Sequence, residues 1–149
     1  AGYLVNKSFT DTTQEDMLDT FQTNVFAPML LIKHLVPLLD ENKQSHIINI
    51  GSMGGYQGSV KFPGLSLYSS SKSALANLTE CLAEEYSDKK IFVNCLALGS
   101  VGTEMLGAAF PDFEAQVSAK EMASYIYGFA LQNPVYINGK VIPVSNSTP

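Results

Sequence analysis

Clustered positive charge is what this sequence lacks first. Its nine Lys and Arg residues are scattered over 149 positions against 14 Asp and Glu, giving a net charge of −5 and a pI near 4.9. Nucleic-acid backbones are gripped by grouped cations, so no nucleic-acid partner is expected. Cysteine is nearly as scarce. Cys81, in a helical pattern, and Cys95, in a strand pattern, are too few for a disulfide framework; they read as buried, reduced thiols of a cytoplasmic protein. Long hydrophobic runs are missing too. The longest is broken by Pro28, Lys33, His34 and Pro37, which is too short and too polar to cross a bilayer, and no signal-peptide pattern is visible. The glycines from Gly51 to Gly58 fit neither Gly-x-Gly-x-x-Gly nor the P-loop, so this stretch is not a phosphate cradle. Repeats and low-complexity tracts are absent, and no metal site is expected.

What is present suits one compact core: 46% of the residues are hydrophobic, and residues 1–149 are expected to form a single domain. Thr13 followed by Glu15 and Asp16 predicts a helix start, with a side-chain cap and acidic residues at the positive end of the helix. That helix carries Met17, Leu18, Phe21 and Val25 and runs on to about Leu39, kinked by Pro28. Asn24 sits inside its apolar pattern. His46 to Ile50 reads as a buried strand ending at Gly51-Ser52. A long helix follows, with Leu75, Leu78 and Leu82 as its expected buried stripe. Ile91 to Leu98 is a second strand, and Gly99 to Thr103 a loop of small residues at its exit. Residues 104–117 give mixed signals, expected as short helical turns over a mobile lid. Ser118 to Glu121 is a capping box that opens a last helix. Asn138-Gly139 is a turn signal, and Lys140 to Val144 a final strand. This alternation predicts a doubly wound α/β fold, a parallel sheet with helices on both faces. Ligands in that architecture sit beyond the carboxyl ends of the strands.

Tyr68 and Lys72 open the long helix four residues apart, a spacing that places them on one face. A phenol keeps its proton to about pH 10, and a neighbouring ammonium favours the phenolate. The pair is therefore a candidate for proton transfer near neutrality. Ser52 stands at the strand exit that leads into this helix, where it and Tyr68 could reach the same substrate oxygen.

Together these residues resemble the short-chain dehydrogenases/reductases. The Tyr-x-x-Ser-Lys core stands as Tyr68, Ser71 and Lys72, and Ile47-Ile48-Asn49-Ile50-Gly51-Ser52 is similar to the family strand that ends in the catalytic serine. Asn24 falls where the family keeps a helix asparagine that holds a relay water. Gly99, Val101 and Thr103, after Val93-Asn94, resemble the loop that contacts the nicotinamide side of the cofactor. Ala1-Gly2 looks like the end of an Asn-Asn-Ala-Gly turn. The resemblance implies hydride transfer between NAD or NADP and a small carbonyl or alcohol. Tyr68 would be the acid/base, Lys72 its electrostatic partner and ribose ligand, Ser52 the group on the substrate oxygen, and Asn24 the relay. Ala1, Gly2, Tyr68, Lys72, Gly99, Val101 and Thr103 would touch the cofactor.

The sequence departs from the pattern in three ways. Leu98-Gly99 replaces a Pro-Gly pair, residues 60–64 look like a small insertion, and the glycine-rich first turn is absent. By the family's order roughly 80 residues would precede Ala1, so the chain reads as the C-terminal part of a Rossmann-type domain, inactive by itself. A homo-oligomer, dimer or tetramer, is implied, with Phe21, Leu30, Leu78 and Leu82 as candidates for its helical interface. Two other readings are a nucleotide-sugar epimerase or dehydratase, which would need a substantial substrate domain after Lys72, and a non-catalytic member of the same fold.

Overall fold

The computed structural model describes residues 2–40, 42–132 and 134–146; Ala1 lies outside them. Helix α1 (Gln14–Phe21) starts where the sequence places it. Thr13 Oγ1 accepts from Asp16 N–H at 3.1 Å, and the Asp16 carboxylate accepts from Thr13 N–H at 2.9 Å. Lys7 Nζ reaches the same carboxylate at 2.7 Å. The irregularity expected at Pro28 lies one turn earlier, as a π-helical segment over Gln22–Phe26 in which Ala27 N–H bonds Gln22 C=O. Pro28 has no N–H to give the carbonyl four residues back, that of Asn24. The helix widens by a residue instead of breaking, then continues as α2 (Ala27–Leu35) with Pro28 in its first turn.

Strand β1 (Ser45–Ser52) is followed by α3 (Ser66–Glu85), β2 (Ile91–Leu98), β3 (Val101–Gly102), α4 (Glu104–Ala109), β4 (Val117–Ser118), α5 (Ala119–Ala130) and β5 (Val141–Val144). The main sheet is parallel, in the order β1-β2-β5. Ser52 lies opposite Leu98, and Leu98 opposite Val144, so the three strands end together. A second parallel pair joins Val101 to Val117 and Gly102 to Ser118; two-residue strands carry no periodicity, and the sequence shows no sign of it.

Alternation along β1 sends Asn49 toward α3, where its amide donates to Thr79 Oγ1 at 2.9 Å. It sends His46 to the other face, where Phe129 of α5 packs at 5.4 Å between ring centroids. Helices therefore cover both faces, as expected. The core gathers Ala83, Ile91 and Val93 under Val36, Leu39, Ile47, Leu82 and Tyr86. The buried stripe of α3 differs from the leucine stripe: it runs through Leu67, Tyr68, Ser71, Lys72, Leu75, Thr79 and Ala83. Leu75 belongs to both, and the close approach of the neighbouring turn is met by a glycine, since a Cβ on Gly55 would come within 2.6 Å of the Lys72 backbone. Leu78 and Leu82 lie half-buried on the flank. Cys81 is exposed, contrary to expectation, while Cys95 is fully buried. Among the described residues, no helix is long and apolar enough to cross a membrane.

Candidate active site

Strand β1 delivers Ser52 to the carboxyl end of the sheet, and the first turn of α3 delivers Tyr68 beside it. Between them the chain makes a 3-10 turn, Met53–Gly55, whose Gly54 N–H bonds Ser52 Oγ at 3.1 Å. Gly55 is in contact with α3 at Lys72, which fixes the distance between the strand exit and the helix. Tyr68 is 8% exposed, and this burial raises its pKa above the ordinary phenol value of 10.0, while the neighbouring Ser52 side chain pulls the other way; a Cβ on Gly54 would lie 3.5 Å from Ser52 Oγ and 3.8 Å from Tyr68 Cδ1. The structure thus brings Ser52 and Tyr68 together.

Lys72 is 6% exposed. Its Nζ donates to Ile50 C=O at 3.0 Å and lies 5.8 Å from the centre of the Tyr68 ring. Burial lowers its pKa from 10.5, and the charge interaction that opposes this comes from the thiol of Cys95. Cys95 itself is pushed up to about 11, again by burial. Desolvation governs both groups, and the ammonium is turned to a backbone carbonyl rather than to the phenol oxygen. Among the described residues no carboxylate pairs with this ammonium, and a buried ammonium without one is costly to keep.

Asn24 is 2% exposed and stitches three segments together. Its Oδ1 accepts from Tyr3 N–H at 2.9 Å, and its Nδ2 donates to Tyr3 C=O at 2.8 Å and to Ser71 Oγ at 2.9 Å. Ser71 in turn donates to Tyr68 C=O at 2.7 Å. Both amide hydrogens are committed, so the side chain of Asn24 holds the Tyr68 turn and does not reach Lys72. Gly2 lies next to it, since a Cβ there would sit 3.8 Å from Asn24 Oδ1 and 3.7 Å from Met105 Sδ.

Gly99, Val101 and Thr103 leave the same end of the sheet as Ser52. Gly99 N–H bonds Val144 C=O at 2.8 Å, and a Cβ on Gly99 would meet the Ser145 side chain at 2.6 Å. Val101 pairs in β3, and Thr103 caps α4 by accepting from Leu106 N–H at 3.3 Å. A cavity of about 290 Å³ opens beside this loop, lined in part by Gly99, Met122, Tyr125 and Pro143. Tyr3 and Cys95 were not legible as parts of the site. Tyr3 contributes backbone atoms that pair with Asn24, and Cys95 is buried in β2 beneath the site.

A buried tyrosine and lysine with a half-buried serine therefore meet at the carboxyl end of a parallel sheet, where ligands of α/β folds sit. The chain belongs to the short-chain dehydrogenase family, whose model matches residues 1–113, and its architecture is a partial Rossmann-type fold. It is 31% identical over 154 residues to the dehydrogenase/reductase SDR family member 4 of Homo sapiens, covering 95% of this chain and 54% of that protein. It is likewise 31% identical over 143 residues to the 3-oxoacyl-[acyl-carrier-protein] reductase of Bos taurus, covering 89% of this chain and 57% of the other. A solved short-chain dehydrogenase from Escherichia coli CFT073, complexed with NADPH, superposes with a TM-score of 0.83 at 25% identity, over 96% of this chain and 59% of that one. The chain spans about half the length of the curated relatives it matches.

Proposed function

We propose that residues 1–149 form the C-terminal part of a Rossmann-type domain in an oxidoreductase that uses NAD or NADP to interconvert a small carbonyl and its alcohol. The observation that carries this reading is the cluster at the end of β1: half-buried Ser52 beside buried Tyr68, and Lys72 buried next to the Tyr68 ring with no carboxylate partner among the described residues. The lysine's surroundings fit a nicotinamide nucleotide, because a ribose offers hydroxyl acceptors to an ammonium whose hydrogen-bond acceptor among the described residues is the Ile50 carbonyl. Lys72 and Tyr68 would hold that ribose, with Gly2, Gly99, Val101 and Thr103 around the rest of the cofactor. The cofactor, when bound, supplies or accepts the hydride.

The chain's own residues manage the proton. With its pKa raised by burial, Tyr68 holds its proton at neutral pH, so its ready role is that of acid toward a carbonyl oxygen. Ser52 gives a second hydrogen bond to the same oxygen as charge develops on it. Asn24 keeps the Tyr68 turn in place through Ser71. Any relay through Asn24 runs by its backbone carbonyl, to which Pro28 can offer no N–H. Residues 104–117 cover the substrate. Tyr68→Phe in the complete enzyme is expected to abolish carbonyl reduction while dinucleotide binding persists; near-normal turnover would refute the assignment.

Association into a homo-oligomer is supported by the outer face of α2 and α3. There Met29, Ile32, Val36, Leu78 and Leu82 line a groove of about 420 Å³, and Leu30 and Leu31 beside it are 48% and 60% exposed. Phe21 is half-buried at the end of α1. The free thiols agree with a cytoplasmic setting.

A further inference from the structure

Helix α4 is the least anchored helix of the chain. It is six residues long and contains no buried residue, so neither length nor packing holds it. Its first turn is capped from within by Thr103. Its last turn is held from a distant segment: Asn6 Nδ2 donates to Ala109 C=O at 2.9 Å, across 103 positions of sequence. The carbonyls of a last turn have no partner inside the helix.

Asn6 is itself fixed on both sides. Tyr3 is clamped by Asn24. Lys7 donates its N–H to Gly64 C=O at 3.1 Å and its Nζ to Asp16 of α1. Gly64 has a φ of +84°, and a Cβ on it would overlap Asn6 Oδ1. A glycine is therefore required where the loop between Ser52 and Tyr68 meets this segment.

We propose that Asn6 is a positioning residue, a latch that ties α4 to the segment already clamped to the active-site helix. This rests on the reading of residues 104–117 as the substrate's cover. The latch sets how often that cover opens, and it acts on substrate capture rather than on the proton transfer.

The test is Asn6→Asp and Asn6→Ala in the full chain, read by hydrogen exchange of residues 104–110. Asn6→Asp keeps size and shape but replaces the amide donor with an oxygen facing Ala109 C=O. Loss of one net hydrogen bond raises exchange in α4 about five-fold, while α3 and α5 stay unchanged, and Asn6→Gln, which keeps an amide donor, restores part of the protection. In the complete enzyme KM rises while kcat stays within about two-fold. Unchanged exchange in α4, or an equal rise in every helix, would overturn the latch. Retained turnover in Tyr68→Phe would overturn the catalytic reading and leave the exchange result standing.

Discussion

Replacing Asn24 by alanine tests whether one amide holds the active-site turn in place. The substitution removes three hydrogen bonds, two to Tyr3 and one to Ser71. At about 1 kcal/mol net for each, the loss is about 3 kcal/mol. Tyr3 is 36% exposed, so water can satisfy its backbone groups afterwards, which keeps the cost from rising further. Against the 5–15 kcal/mol typical of a folded domain, such a loss is easily measured. Urea unfolding at pH 7, followed by circular dichroism, should show a lower midpoint with an unchanged slope. Asn24→Asp sharpens the test. It keeps the acceptor for Tyr3 N–H but sets a carboxylate oxygen against Tyr3 C=O and Ser71, so it should also destabilise at pH 7 and recover as the carboxyl gains a proton in acid. A loss under about 1 kcal/mol for Asn24→Ala would refute the idea that these bonds hold the turn.

Further outcomes follow from burial. Because the Tyr68 pKa lies above 10.0, carbonyl reduction should be insensitive to this group at neutral pH and fall only in strong alkali, while alcohol oxidation climbs with pH; steady-state rates from pH 6 to 10 would check this, and oxidation that is flat across that range would contradict it. His46 has a pKa lowered from 6.5 by burial, and its Nε2 lies 3.0 Å from Asn94 Nδ2. Its contribution to stability is therefore full above pH 6.5 and is lost as pH falls toward the depressed folded value, where the unfolded chain binds the proton first. The carboxylates with lowered pKa, Asp16, Asp40 and Glu121, act only below their ordinary values of 3.8, 3.8 and 4.5, so His46→Gln should flatten the stability slope between pH 7 and 5.5. Gly55→Ala, whose new Cβ would press on the Lys72 backbone at 2.6 Å, should cost about 1–3 kcal/mol in urea unfolding.

Two helix starts were legible residue by residue, since Thr13 with Asp16 and Ser118 with Glu121 both form reciprocal caps. These depend on local spacing, which sequence displays directly. The parallel sheet followed from the alternation of elements. The buried face of α3 was legible in part: Leu75 is buried as expected, but hydropathy also favours Leu78 and Leu82, whereas the fold buries Ser71, Thr79 and Ala83. The displaced irregularity before Pro28 was hidden for a related reason: a missing N–H is felt at Asn24, four residues upstream. In the site, the placing of Ser52 next to Tyr68 was readable from a strand exit and a helix start. The sign of the Tyr68 shift was not, because it depends on how much water the fold removes. That quantity exists only in three dimensions.

Strand β1 has consequences for handling the molecule. It pairs through all eight residues with β2 on one side, and among the described residues no strand occupies its other margin. Ile50, near its end, is 38% exposed. On the proposed reading the domain's remaining strands seat on that margin, so the complete chain is the form in which to handle this sheet.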